Sequence, residues 1–429
     1  MVALCFYFQV HQPYRLRQVK LDESAAAESL FSDEKNRSVF RKVAEKCYWP
    51  MGKLLEHLLL KYPNDFKVSF SFSGTFLSQC KEYDPDLYAL YTFLGQRPNT
   101  HIICETSHHS LAALKSADEF AQQVNEQRKY LSELFGKKAR VFRNTELIYS
   151  DFIGSSVSQL GFDGCLLEGW DPWLPQGWNA HHIFKHPTQS NLRLLPKSYK
   201  LSDDMAFRFS DRNWASWPLT AERYVQWLES LLDGQHEFIG LFMDYETFGE
   251  HQWADSGIFY FFEDLVHRVI SHPNLSFIGV EDALSMEKRS IMSVPVPTSW
   301  ADTERDLSAW LSNPLQEEAL ERVMALEPLV KSLNRKEITE QWRKLQTSDH
   351  FYYMCIKYSH DGDVHKYFSP YDSPYDAYLD HRSAVELFER ECLSIQKLHD
   401  VQDYHLLEQS DQIIRPTFSA SGLISDSLS

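Results

Sequence analysis

The sequence predicts an α/β protein, a parallel sheet or barrel wrapped by helices, followed by a helical C-terminal region. Three observations carry this. Short apolar runs alternate with longer segments of helical period. Acidic and histidine side chains collect where the apolar runs end. From about Asp302 the alternation stops, and helical stretches follow one another with no strand between them.

The expected strands, in order, cover residues 2–10, 67–72, 101–105, 140–143, 164–168, 192–195, 238–243 and 276–280, each a short run rich in β-branched, aromatic or leucine residues. Between them the helices carry start and stop signals. The segment 116–135 opens on a capping box, Ser116 with Glu119, and places Phe120, Val124, Leu131 and Leu134 on one face. It stops at Gly136. The segment 220–232 has Thr220 as cap, an inner face of Tyr224, Trp227, Leu228 and Leu231, and Gly234 as terminator. Later helices are expected over 314–333, 336–347 and 383–399. The organisation that follows is a catalytic β/α unit over residues 1–300 and a helical region over 301–429. "SASGLISDSLS" at the end reads as frayed.

Composition narrows the function. The 429 residues are 43% hydrophobic and 14% aromatic, enough for one large core and a smaller unit. Sixty acidic residues against 43 basic give a formal charge of −17. Nucleic acid or an anionic membrane needs a basic footprint, so neither is an expected partner. A neutral substrate fits better. The seven cysteines are scattered singly, mostly in apolar runs such as "LCFYF" and "IICE", which reads as buried thiols in a reducing compartment. The apolar N-terminus has neither a positive leader nor a cleavage site and reads as a first strand. The expected location is the cytoplasm.

In a parallel β/α barrel the active site lies at the C-terminal ends of the strands. Four runs end suggestively: "FYFQVHQP" at His11, "IICETSHH" at Glu105 and His108–His109, "RVFRNTEL" at Glu146, and "IGLFMDYE" at Asp244 and Glu246. Two carboxylates on separate strands can be held at a fixed distance across a sugar, one protonated and one ionised, as glycoside hydrolysis requires. Glu146 and Asp244 meet that condition. The alternative for any strand-end carboxylate is a helix cap or half of an ion pair. Of the two adjacent histidines, His109 is the favoured site residue.

"HQP" at 11–13, "FSGTF" around Gly74, "FRNTELIYS" around Glu146 and "FMDYETFGEHQW" around Asp244 resemble, in order and relative position, the conserved regions of glycoside hydrolase family 57. The wording is most similar to that family's α-amylase group, and the resemblance covers nearly the whole chain. It implies a distorted seven-stranded (β/α) barrel with a C-terminal helical domain, acting on α-glucans with retention. By motif, Glu146 becomes the nucleophile and Asp244 the general acid/base, and a retaining pair should stand about 5–5.5 Å apart. His11 and Glu246 would bind sugar hydroxyls and tune the acid; for Glu246 a structural ion pair is the alternative. His251 and Trp253, on the same loop, would border the substrate.

Two aromatic segments add candidates. "LLEGWDPWLPQGWN" offers Trp170, Trp173 and Trp178, rings that either stack on apolar sugar faces or roof the core. "FRFSDRNW" brings Asp211 and Trp214. No metal and no cofactor are expected: "HQP" sets no acid beside His11, and the side-by-side histidines of "SHHS" chelate poorly. "SHDGDVH" lacks the full calcium-loop series and reads as a solvated acidic loop. Three activities remain open: α-1,4-glucan hydrolysis, 4-α-glucanotransfer or branching through the same intermediate, and glucan binding without catalysis.

Overall fold

A computed structural model of the chain describes residues 2–18, 30–234, 236–357 and 369–414. The segments "SHDGDVH" and "SASGLISDSLS" lie outside these residues. The strands are β1 (Val2–Val10), β2 (Val68–Phe72), β3 (Thr100–Ile103), β4 (Val141–Phe142), β5 (Gly164–Glu168), β6 (Ile183–Lys185), β7 (Arg193–Lys197), β8 (Phe238–Asp244), β9 (Leu275–Phe277) and β10 (Lys288–Ile291). Eight correspond to expected strands. The other two, β6 and β10, are short segments without the alternation that marks a half-buried strand.

Parallel pairing runs β8–β1–β2–β3 and β4–β5–β7. Two thin seams nearly close the circle into a barrel of seven parallel strands: a single Cys104–Phe142 bridge between β3 and β4, and a single Lys197–Gly240 pair between β7 and β8. Strand β9 pairs with the foot of β1, β6 lies antiparallel to β7, and β10 joins β6.

Period-two alternation decides what enters the barrel. On β1, Cys5 and Tyr7 face an interior cluster shared with Ile103, Val141, Leu166, Leu195 and Phe242. Leu4, Phe6, Phe8 and Val10 instead pack outward on the helices, in a phenylalanine-rich layer with Phe40, Phe70, Phe76 and Phe262. Helix Ala117–Phe135 begins and ends as expected, with Ser116 accepting from the Glu119 N–H and Gly136 at φ 69°. Half of its capping box is diverted. The Glu119 carboxylate accepts from Arg343 Nε at 2.6 Å and from Gln123, which ties this helix to the C-terminal helices.

That C-terminal region has helices Pro314–Ala325, Glu327–Leu333, Lys336–Leu345, Ser348–Tyr352 and Pro374–Ile414. The helix expected over 314–333 breaks at Leu326, because Pro328 has no N–H to continue the ladder. The region shares one core with the barrel: Trp342, Phe351 and Val385 cluster with Cys104, Phe142 and Leu167. Among the described residues no helix is long and apolar enough to cross a membrane.

Candidate active site

The last inward position of each barrel strand, or the equivalent residue just beyond it, is polar: Gln9, Ser71, Glu105, Arg143, Glu168, Lys197 and Asp244. Each follows an inward residue by two places, so alternation stacks a polar ring on the interior cluster. The ring is internally bonded. Tyr7 donates to Gln9 at 2.6 Å, Ser71 donates to the same Gln9 oxygen at 2.6 Å, and Gln9 donates to Glu105 at 2.9 Å.

Glu146 lies just past the two-residue strand β4, in a tight turn where its φ is 56° and that of Leu147 is 53°. Two successive side-chain-bearing residues in the left-handed region carry local strain of roughly 1–2 kcal/mol each. The turn persists because its surroundings grip it. Asn144 donates to the Ile148 carbonyl at 3.0 Å, and Tyr149 and Thr298 exchange backbone hydrogen bonds. The second contact brings Trp300 over the site, where its indole N–H donates to Glu146 Oε2 at 3.1 Å. On the other oxygen, Ser348 donates to Oε1 at 2.9 Å and His109 Nε2 stands 3.4 Å away.

Ser348 arrives from the C-terminal region by backbone pairing. Leu111 N–H donates to the Gln346 carbonyl, and Ser348 N–H donates to the His109 carbonyl. The next residue, Asp349, holds His11 Nε2 at 2.9 Å, while Ser73 holds Nδ1 at 2.8 Å. The His11 ring stacks on His109 with centroids 4.0 Å apart.

Charge states follow from this packing. Burial alone would lower the His109 imidazole, but Glu105 at 2.7 Å and Glu146 on the other side raise it to about 9. His11, packed beside that cation, is pushed down by burial and by the His109 charge, against the Asp349 carboxylate. Burial pushes Glu146 up, yet the hydrogen bond and charge of His109, with Arg143 behind, hold it below the usual carboxylate range. Asp244 goes the other way. Burial and the neighbouring Glu146 charge raise it to about 6, against weaker lowering by Arg143, His109 and Lys197. Glu246, buried beside Asp244, rises to about 8 despite the Tyr48 hydroxyl that donates to it at 2.6 Å. Two carboxyl groups shifted in opposite directions, Glu146 down and Asp244 up, therefore act on each other across one barrel mouth.

The sequence profile of Glycosyl hydrolase family 57 matches residues 5–296. The chain belongs to this family. A Methanocaldococcus jannaschii protein named "Putative alpha-amylase" is 39% identical over 402 residues, 90% of this chain and 84% of its own length. Among solved structures, the family 57 branching enzyme of Thermococcus kodakaraensis superposes with a TM-score of 0.66 at 13% identity, covering 92% of this chain and 90% of that one. The 4-alpha-glucanotransferase of Thermococcus litoralis gives 0.56 at 18% identity over 83% of this chain, which spans 52% of that longer protein. These two likenesses establish the fold.

Within this family 57 chain, the fold gathers His11, His109, Glu146, Asp244 and Glu246 at the mouth. The other expected residues make contacts of their own. Trp170 and Trp173 form an edge-to-face pair at 6.1 Å, and Trp173 packs against the core shared with the C-terminal region. Asp211 closes a local turn by accepting from the Asn213 N–H, and Trp214 packs edge-on against Trp227 at 6.0 Å. His251 is half-buried, which lowers its imidazole to about 4, and its backbone N–H donates to the Glu246 carbonyl. Trp253 is 60% exposed beneath the Lys46 ammonium and lines an outer groove with Glu45, Pro50 and Phe259. Gly249 makes that loop possible: at φ 111° it crosses so close to the Lys46 carbonyl that a Cβ would collide.

Sequence reasoning overlooked Arg143, Trp300, Ser348 and Asp349, and left Glu105 as a strand-end acid without a role. The signal for Arg143 and Glu105 was present, since both continue the inward parity of their strands. Trp300 and the Ser348–Asp349 pair carried none, because neither sits at the end of an apolar run.

Proposed function

We propose that this enzyme hydrolyses α-1,4-glucosidic bonds of starch- or glycogen-type glucans with retention, by double displacement. The observation that carries the reading is the opposed protonation of the two carboxyls: Glu146 held ionised by its donors, Asp244 held protonated to about pH 6. Among the described residues Glu146 Oε2 has a single hydrogen-bond donor, Trp300, and so keeps a lone pair to attack the anomeric carbon. As that bond forms, the glycosidic C–O bond breaks and Asp244 gives its proton to the departing oxygen. Oε1 becomes the ester carbonyl, still facing Ser348 and the His109 cation. The ionised Asp244 then takes a proton from water, whose oxygen attacks the anomeric carbon and releases Glu146.

His11 and Glu246 border the same space and are proposed to bind sugar hydroxyls. Trp170, Trp173, Asp211, Trp214, His251 and Trp253 remain proposed contacts of longer glucans. We further read residues 1–300 as the catalytic unit, with 301–429 completing it through Ser348 and Asp349. The name of the 39%-identical relative supports the amylase reading. The seven unpaired, buried cysteines support a reducing, cytoplasmic setting.

Incubation with maltoheptaose tests the reaction. Hydrolysis raises the number of reducing ends, and anomeric NMR shows the α-anomer first. Constant reducing ends with longer and shorter products would replace hydrolysis by glucanotransfer, and new α-1,6 linkages would replace it by branching. Wild-type turnover no faster than that of Glu146→Gln would remove catalysis altogether.

A further inference from the structure

Arg143 is a fully buried residue whose three guanidinium nitrogens find no acceptor among the described residues. Buried polar groups are normally paired, and a buried cation left unpaired is rare enough to require a use. The other cation of the polar ring makes the contrast. Lys197 is held by Asp203 at 2.9 Å and lies 3.7 Å from Glu168. Arg143 is instead stacked on the Trp300 ring, 4.7 Å from its centroid, with the Lys197 ammonium 5.5 Å from the same centroid. That indole donates to Glu146. The loop carrying it is clamped by Arg305, which reaches Glu168 at 2.7 Å and Asp203 at 3.1 Å.

We infer that Arg143 is a positioning residue of this site: it seats Trp300, and through it Glu146, while its unneutralised charge acts on both Glu146 and Asp244. The inference rests on the catalytic reading of those two carboxyls. Three features of the ring support it. Arg143 follows Val141 by two places, so it points into the barrel just below the Glu146 turn. Its planar cation matches the indole face, which an ammonium would cover poorly. A cation with no hydrogen bond of its own keeps its full field for its neighbours, and in a low-dielectric interior that field is strong. The groups it meets are Tyr7 on β1, Glu105 just beyond β3 and Asp244 on β8, besides Glu146 in the turn that follows it. Two other charges face the same carboxylate and enter the same balance: His109 lowers Glu146 and Asp349 raises it.

The test compares the pH dependence of kcat/KM on a soluble maltodextrin for the wild type, Arg143→Met and Arg143→Lys, with thermal unfolding as the check on folding. A wild type without turnover refutes the catalytic reading, not the role of Arg143 within it. Given an active wild type, Arg143→Met should move both limbs of the profile to higher pH by about one unit or more, since both carboxyls lose an attracting cation. Arg143→Lys keeps the charge, so its limbs should stay in place. Its kcat should still fall about tenfold or more with KM nearly unchanged, because the indole loses its planar support. A Met variant that loses activity at every pH with unmoved limbs reduces Arg143 to a structural residue and overturns the inference. If the Met variant does not fold, the Lys variant decides alone, and wild-type kcat there overturns the inference too.

Discussion

The two carboxyl groups are held in two different ways. Asp244 ends β8, which pairs with β1 over seven residues, so a long hydrogen-bonded ladder fixes its position and alternation fixes its direction. Glu146 follows β4, a strand of two residues bounded on one side by a single bridge. No ladder holds it there. A strained turn and three side chains from other segments hold it instead: Trp300, Ser348 and His109, of which Ser348 is 202 residues away in sequence. One side of the barrel orients by backbone and the other by side chains. The carboxyl on the ladder side is raised to about 6 by burial and the Glu146 charge, while the one in the side-chain grip is held below the usual carboxylate range by His109.

The largest effects should come from the carboxyls themselves. Glu146→Gln should lower kcat on maltoheptaose by about 10⁴-fold or more, because no intermediate can form. Asp244→Asn should lose about 10²- to 10⁴-fold on the same glucan. It should lose much less on a 4-nitrophenyl α-maltoside, whose leaving group needs no proton. Equal losses for both variants on both substrates would erase the division of labour. Next is the pH profile: with Asp244 as the proposed acid, kcat/KM should fall as pH rises through about 6. A profile flat to pH 8 would mean that burial and Glu146 do not raise this group.

Smaller effects sharpen the contrast between ladder and grip. Trp300→Phe keeps a ring but removes the N–H to a carboxylate, and kcat should drop about ten- to a hundredfold. Ser348→Ala should cost about fivefold, because His109 still faces the same oxygen. Both should act on the first step, seen as loss of burst amplitude, with the Asp244 limb of the pH profile unmoved. If that limb moves in Trp300→Phe, the two holding systems are not separate.

Much of this was legible beforehand. Eight strands, the helix caps at Ser116 and Thr220, and the carboxyls at 146 and 244 all followed from apolar periodicity and motif order. The polar ring was legible too, since Glu105, Arg143 and Lys197 stand two places beyond inward apolar residues. Strands β6 and β10 were not, being three and four residues long without alternation. Nor were Trp300, Ser348 and Asp349. They enter by backbone pairing between loops, Tyr149 with Thr298 and His109 with Ser348, and such pairing leaves no periodic trace.

By itself, then, the order of residues determined which side chains point inward and which family the chain belongs to, because both are written in local period and wording. Only the folded arrangement supplied the physical cause that shifts the two carboxyls in opposite directions. Those shifts depend on burial and on charges a few ångströms away, and here His109, Arg143 and Lys197 come from different strands or the loops after them, which meet only when the barrel closes.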